Sequence, residues 1–179
     1  MTLETLILDI EKKSKDIIFG CPGWEGENYL ETEPYYKWLA SYVREYKPKR
    51  ILELGRRAGN SLFALAKFLP DESVLDSYDL NGMGKTVDKI NVNVLEYDGD
   101  FSKLDLGSYD FIFVDINGKG PQEWKIYNQM IEQGYKGVTA WDDVNSEHCL
   151  PEFFWHKVTK EKLLTNYNNS GSGFGFIII

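Results

Sequence analysis

The sequence predicts a doubly wound α/β fold with a mostly parallel, seven-stranded sheet and helices on both faces. From Arg50 onward, short apolar runs alternate with helical or loop segments, as in right-handed βαβ units. Runs that are apolar throughout, such as Phe111–Val114, suit strands that are covered on both faces. A glycine-containing turn follows the first of these strands and opens a helix, and such turns are where this architecture binds ligands.

Two helices are predicted before the first strand. The apolar positions of the first helix are Leu3, Leu6, Ile7 and Ile10. They follow helical spacing, and we expect Gly20, Pro22 and Gly23 to end this helix. The second helix begins near Pro34, because proline is tolerated in a first turn. Its predicted buried stripe is Trp38, Leu39, Tyr42, Val43 and Tyr46.

The remaining elements follow in order from the apolar runs and the helical periods between them. Strands are predicted at 51–54, 74–78, 92–97, 111–114, 138–141, 163–167 and 174–179. Helices are predicted at 60–68, 122–132 and 152–160. With no repeat and no linker, we expect one domain over residues 1–179. Residues 1–48 would form N-terminal helices and a lid, and residues 49–179 the core.

Composition narrows the class of function. The chain has 179 residues, 42% hydrophobic and 27% charged, as in soluble globular proteins. It has no apolar run near the roughly 20 residues of a membrane helix and no secretory signal pattern, so we expect a cytoplasmic protein. The formal net charge of -8 disfavours nucleic acid as a partner. We therefore expect a small-molecule substrate.

The turn after the first strand carries the candidate ligand site. Glycines at Gly55 and Gly59 let the backbone pass close to a ligand, and the following helix offers unpaired N–H groups. A tight turn without a ligand would select the same glycines. Asp79 lies 24 residues after Gly55, at the end of the second strand, where a carboxylate can bind ribose hydroxyls. Gly99-Asp100 follows the third strand and could face an adenine edge or form a plain turn.

Together these motifs resemble the class I S-adenosylmethionine (SAM)-dependent methyltransferases, over roughly residue 49 to the end of the chain. The resemblance rests on the order E-x-G-x-x-x-G-x-S, then Asp79, Gly99-Asp100 and the segment Y-D-F-I-F-V-D at 109–115. It implies a Rossmann-like core and a set of cofactor-binding residues. This set comprises Glu53, Gly55, Arg56, Gly59, Asn60, Ser61, Asp79, Gly99, Asp100 and Asp115.

Acidic residues also end the fourth and fifth strands. Asp115 follows one strand, and Asp142-Asp143 end the next, 27 residues later. Adjacent parallel strands would bring these carboxylates together, and such oxygen-rich sites suit Mg²⁺ or another divalent cation. Capped loops or solvated acids are the alternative. The pattern resembles a subgroup of small-molecule O-methyltransferases, including sugar-modifying and cephalosporin-biosynthesis relatives, which implies a metal held by Asp115, Asp142 and Asp143.

One position departs from that subgroup. Its members often carry a histidine, thought to act as the general base, where this chain has Gly118. His148, in the loop after Asp142-Asp143, is our candidate catalytic replacement, and Lys119 is another. The alternative is that His148 is a loop histidine with no catalytic role.

The function these observations predict is O-methylation of a small hydroxylated molecule, with a sugar as one candidate, assisted by a divalent metal. A SAM-binding protein without methyl transfer is one alternative. A nicotinamide-dependent enzyme is another, although Ser61 replaces the third glycine of that motif and Glu53 would repel a pyrophosphate. The short chain lacks a separate substrate domain, so a homo-oligomer is also open.

Some side chains near the turn allow two interpretations. Arg56 and Arg57 could contact a carboxylate or be solvated loop arginines. Four aromatic residues could line a lid or pack against the sheet. They are Trp24, Tyr29, Tyr35 and Tyr36.

Overall fold

The fold was analysed in a computed structural model of the chain. The structure describes residues 2–20, 33–80, 87, 91–96, 101–116, 120–144, 154–165, 167 and 172–179. Its helices are α1 (Leu3–Ser14), α2 (Pro34–Tyr46), α3 (Asn60–Lys67), α4 (Pro121–Glu132) and α5 (Phe154–Lys157). Its strands are β1 (Arg50–Leu54), β2 (Val74–Asp79), β3 (Val92–Glu96), β4 (Phe111–Val114), β5 (Val138–Asp142), β6 (Lys162–Thr165) and β7 (Phe174–Ile178). Two short 3₁₀ turns, Phe101–Lys103 and Leu106–Ser108, precede β4.

The seven strands form one sheet in the order β3-β2-β1-β4-β5-β7-β6. The pairs among β1 to β5 are parallel, whereas β7 pairs antiparallel with both β5 and β6. The predicted fold class is therefore confirmed. The chain winds outward in opposite directions from β1 and β4, so the edge above these two strands is the switch point where such sheets bind ligands.

Each face of the sheet has its own apolar core. Ile51, Leu75 and Phe111 pack with α1, α2 and α3 on one face. Leu52, Ile112 and Trp141 pack with residues of α4 and α5 on the other face. Alternate residues of a strand point to opposite faces, so strands covered on both sides are largely apolar. Among the described residues, no helix combines the length and apolar character that crossing a membrane requires.

The N-terminal helices are built into the first of these cores. Trp38 of α2 is almost fully buried, and its ring lies 4.3 Å from the ring of Phe176 in β7. The backbone N–H of Leu3 donates to Glu161 Oε1 at 2.8 Å, next to β6. These contacts attach the start of the chain to the antiparallel edge of the sheet.

Two helix ends and one expected buried position differ from the sequence expectation. Helix α1 ends at Ser14 rather than near Gly20, because Ile17 and Phe19 turn into the core instead of continuing a helix. Tyr46 is 38% exposed, so it does not complete the buried stripe of α2; its ring stacks on Tyr42 at the helix end. Helix α5 ends at Lys157, where β-branched Val158 and Thr159 follow.

Candidate functional site

The glycine turn lies at the switch point between β1 and β4. Gly55 has φ +91°, and its N–H donates to Tyr78 O at 2.8 Å. A Cβ on Gly55 would lie 1.9 Å from the carbonyl oxygen of Asp115. The lack of a side chain at Gly55 thus lets the turn pack closely against the backbone that follows β4. Gly59, with φ +86°, then caps the N-terminus of α3.

Asp79 binds the glycine turn from the end of β2. Its Oδ2 accepts the backbone N–H groups of Arg56 at 2.9 Å and Arg57 at 2.7 Å. The sequence placed a ribose-binding carboxylate at the end of the second strand, and in the structure Asp79 ends β2 and contacts the turn. Asp79 therefore fixes the turn at the edge of the sheet where a ligand would lie.

Glu53 is completely buried beneath this turn. Ser77 Oγ donates a short hydrogen bond to Glu53 Oε2, while Oε1 has no hydrogen-bond partner within the described part of the chain. Burial raises the pKa of Glu53 from 4.5 to about 7, although the hydroxyls of Ser61 and Ser77 and the charge of Arg56 lower it.

Arg56 turns inward, whereas Arg57 is exposed. The Arg56 side chain is 2% exposed, and its Nη1 donates to Ser77 O at 3.1 Å. The solvated interpretation is therefore wrong for Arg56. Its Nε and Nη2, and Oδ1 of Asn60, are buried without hydrogen-bond partners among the described residues.

The acidic residues after β4 and β5 interact electrostatically. Burial raises the pKa of Asp115 well above its usual value, and the charges of Asp142 and Asp143 raise it further. Asp143 has φ +57°, and its N–H donates to Asp142 Oδ1 at 3.0 Å. However, no three His, Cys, Asp or Glu side chains in the described ranges are arranged as ligands of one ion.

Tyr35 joins this group of acids from the start of α2. Its ring is buried and lies 4.0 Å from the ring of Tyr36 and 4.9 Å from that of Phe174. Burial raises its pKa well above the usual value, and the charges of Asp142 and Asp115 add to the effect. Tyr35 thus packs against the sheet and also lies in the electrostatic field of the acids.

Several predicted residues lie outside the described residues. They are Gly99, Asp100, Gly118, Lys119 and His148, together with Trp24 and Tyr29. Sequence reasoning also missed Ser77. The available signal was a small hydroxyl in the strand next to β1, because in the sheet register Ser77 lies beside Glu53.

Buried acceptors and donors without partners therefore surround the turn. Glu53 Oε1 and Asn60 Oδ1 are acceptors, and the Arg56 guanidinium is a cationic donor. Buried polar atoms of this kind are normally paired, so their concentration at one ligand-binding edge points to a polar ligand. The amino-acid part of SAM carries an ammonium and a carboxylate, and its ribose carries hydroxyls. The residues present suit those groups.

Solved structures with the same architecture are methyltransferases. An S-adenosylhomocysteine (SAH)-bound methyltransferase, PaMTH1 from Podospora anserina, matches with a TM-score of 0.61 and 18% identity over 96% of this chain and 86% of that chain. The SAH complex of an O-methyltransferase from Bacillus cereus matches with a TM-score of 0.56 and 16% identity, over 98% of this chain and 90% of that chain. The SAM complex of TomG, an O-methyltransferase of tomaymycin synthesis from Streptomyces achromogenes, matches with a TM-score of 0.54 and 16% identity. The match covers 97% of this chain and 88% of that chain.

The likeness defines the class of fold. The chain has the Rossmann-like fold of class I methyltransferases, present over nearly its whole length. No protein-family profile and no curated protein matches it. At these identities the likeness extends to the fold, and neither the sugar-modifying nor the cephalosporin-type subgroup is confirmed.

Proposed function

We propose that this protein is a SAM-dependent O-methyltransferase that acts on a small hydroxylated molecule. The observation that carries the proposal is the buried polar cluster at the glycine turn, in which Glu53 Oε1 and the Nε and Nη2 donors of Arg56 lack hydrogen-bond partners among the described residues. In a sheet with the methyltransferase strand order, this cluster lies at the switch point.

The proposed roles follow from charge and position. Glu53 and the turn from Gly55 to Gly59 would border the methionine part of the cofactor. Asp79 would hold the ribose, since one carboxylate can accept from both hydroxyls while its Oδ2 fixes the turn. Ser61, Asn60, Gly99, Asp100 and Asp115 complete the proposed cofactor site. When bound, SAM supplies an electrophilic methyl group.

Methyl transfer also needs an oriented acceptor oxygen. In this proposal the acceptor lies beside Asp115, Asp142 and Tyr35, where a dry environment and fixed geometry supply much of the rate. A sugar is one candidate acceptor, and His148 is the proposed general base. A His148→Ala variant should then retain SAH binding and lose turnover.

A divalent cation held by Asp115, Asp142 and Asp143 is a further part of the proposal. Mutual repulsion of these acids supports it, because a cation would relieve the electrostatic penalty that raises the pKa of Asp115. The described acids do not already surround one point, so binding would require their rearrangement. The test is Mg²⁺ titration of Asp142→Asn/Asp143→Asn. The double variant should lose metal affinity and keep SAH affinity; unchanged metal affinity contradicts this site.

The proposed activity is tested by transfer of a labelled methyl group from SAM to a panel of sugars and catechols, with and without Mg²⁺. Asp79→Ala should weaken SAM binding at least about tenfold, because it removes the ribose acceptor and releases the turn. The matched control is Asp71→Ala, at an exposed turn after α3, which should bind normally. Binding without transfer to any acceptor would favour a non-catalytic SAM-binding protein.

The remaining predictions concern the whole chain. A single domain over 1–179 with a lid from residues 1–48, a cytoplasmic location and a homo-oligomer stay parts of the proposal. Light scattering coupled to size-exclusion chromatography tests the oligomer, and a strict monomer at working concentration contradicts it.

A further inference from the structure

Arg56 links the glycine turn to β2 through both its backbone and its side chain. Its N–H donates to Asp79 Oδ2 at 2.9 Å, and its Nη1 donates to Ser77 O at 3.1 Å. One residue of the turn therefore holds two positions of the neighbouring strand. Because the guanidinium is 2% exposed, it acts from beneath the turn.

The same side chain lies in the environment of Glu53. Ser77 connects them, since its carbonyl accepts from Arg56 and its hydroxyl donates to Glu53 Oε2. Arg56 Nε and Nη2 and Glu53 Oε1 are all buried without hydrogen-bond partners within the described residues. A buried cation and a buried carboxylate that share one bridging residue stabilise each other's charged forms.

We propose that Arg56 is a positioning residue that ties the turn to β2 and keeps the Glu53 carboxylate in place and ionised when the cofactor binds. The inference rests on the proposed function and deepens it. In this arrangement Arg56 does not touch the acceptor. Besides the donors that it offers to the cofactor, it acts on the cofactor through Glu53 and Asp79.

The groups that surround Glu53 determine how its pKa would change if the charge of Arg56 were removed. The hydroxyls of Ser61 and Ser77 and the charge of Arg56 favour its ionised form, whereas burial and the charge of Asp79 oppose it. Asp115, after β4, also interacts with Glu53. Arg56 is the cation among these neighbours, so its neutralisation should leave Glu53 protonated to a higher pH.

The test is the affinity for SAH, measured calorimetrically between about pH 5.5 and 9 for the full chain and its variants. Arg56→Gln keeps a donor for Ser77 O but removes the charge, and Arg56→Lys keeps the charge. Glu53→Gln, alone and combined with Arg56→Gln, reports the pH dependence that arises from other groups, including Asp115. The ligand's own titration is common to all variants and cancels.

In the wild type we expect the affinity to rise about tenfold per pH unit and to level off near pH 7. With Arg56→Gln, the pH at which the SAH affinity levels off should rise by about one unit. With Arg56→Lys, that pH should return toward the wild-type value. In both variants that carry Glu53→Gln, this rise and levelling of the SAH affinity should be absent.

A purely structural role would weaken SAH binding equally at every pH, so unchanged levelling in Arg56→Gln overturns the inference. If Arg56→Gln does not fold, Arg56→Met also removes the charge, together with the donor to Ser77 O, and the same change in levelling is expected. Failure of Arg56→Lys to restore the wild-type profile is equally contradictory. Wild-type protein that binds no SAH at any pH refutes the proposed function itself. The two failures are therefore distinguishable.

Discussion

At the scale of single residues, the site depends on backbone approach as much as on side-chain chemistry. Gly55 combines a left-handed φ with a position where any Cβ would collide with the Asp115 carbonyl. The sequence motif suggested that this glycine makes room for a ligand. In the structure it makes room for the strand-end backbone of β4, and the turn is shaped by that contact.

Gly55→Ala should therefore lower the free energy of unfolding by about 3 kcal/mol or more, since strain and overlap add. Gly134→Ala is the matched control, because Gly134 also has positive φ (+69°) but a Cβ there would meet nothing within 4 Å. It should cost about 1 kcal/mol. Urea unfolding measures both. Equal losses would show that the contact with Asp115 does not constrain the turn.

At the scale of elements, the antiparallel edge depends on a close contact between β7 and α5. Gly175 lies between Trp141 of β5 and Leu164 of β6 in the sheet. A Cβ on Gly175 would lie 2.4 Å from the Trp155 ring. Lys162 Nζ also donates to Trp155 O at 2.6 Å and to Val158 O at 3.0 Å, which fixes the end of the short helix.

Gly175→Ala should destabilise the protein by about 2 kcal/mol, because the indole must move out of a packed site. Combining it with Trp155→Phe should cost less than the sum of the two single changes, since the smaller ring leaves space. Thermal unfolding of the four proteins in this cycle provides the coupling energy. Strict additivity would mean that the ring does not limit residue 175.

At the scale of the whole molecule, a completely buried carboxylate makes stability depend on pH. The pKa of Glu53 is raised from 4.5 to about 7, so the folded state holds a proton that the unfolded state has lost. The sign follows from proton binding: the stabilisation is complete below pH 4.5 and is lost as pH rises through about 7.

Glu53→Gln should remove this contribution. Between pH 4.5 and about 7 the unfolding free energy of the wild type, relative to that of the variant, should fall by about 3 kcal/mol. The variant should be the more stable protein at pH 8. Denaturant unfolding across this range measures the difference, and parallel profiles would show that Glu53 is not buried in the free protein.

Features that follow from local sequence patterns could be predicted, whereas contacts between distant segments of the chain could not. Apolar runs report burial on both faces of a strand, so the strands and the fold class followed from the sequence, as did the position of Asp79 at the end of β2. The inward course of Arg56, the pairing of Ser77 with Glu53 and the position of Tyr35 near Asp115 depend on strand register and helix packing between distant segments. No local pattern encodes those contacts.

Calorimetric titration with SAH, with NAD titrated in parallel, tests whether the turn between β1 and α3 binds SAM. We expect a one-to-one binding curve for SAH and no response to NAD. No heat and no thermal shift with SAH, or saturable binding of NAD, would contradict this expectation.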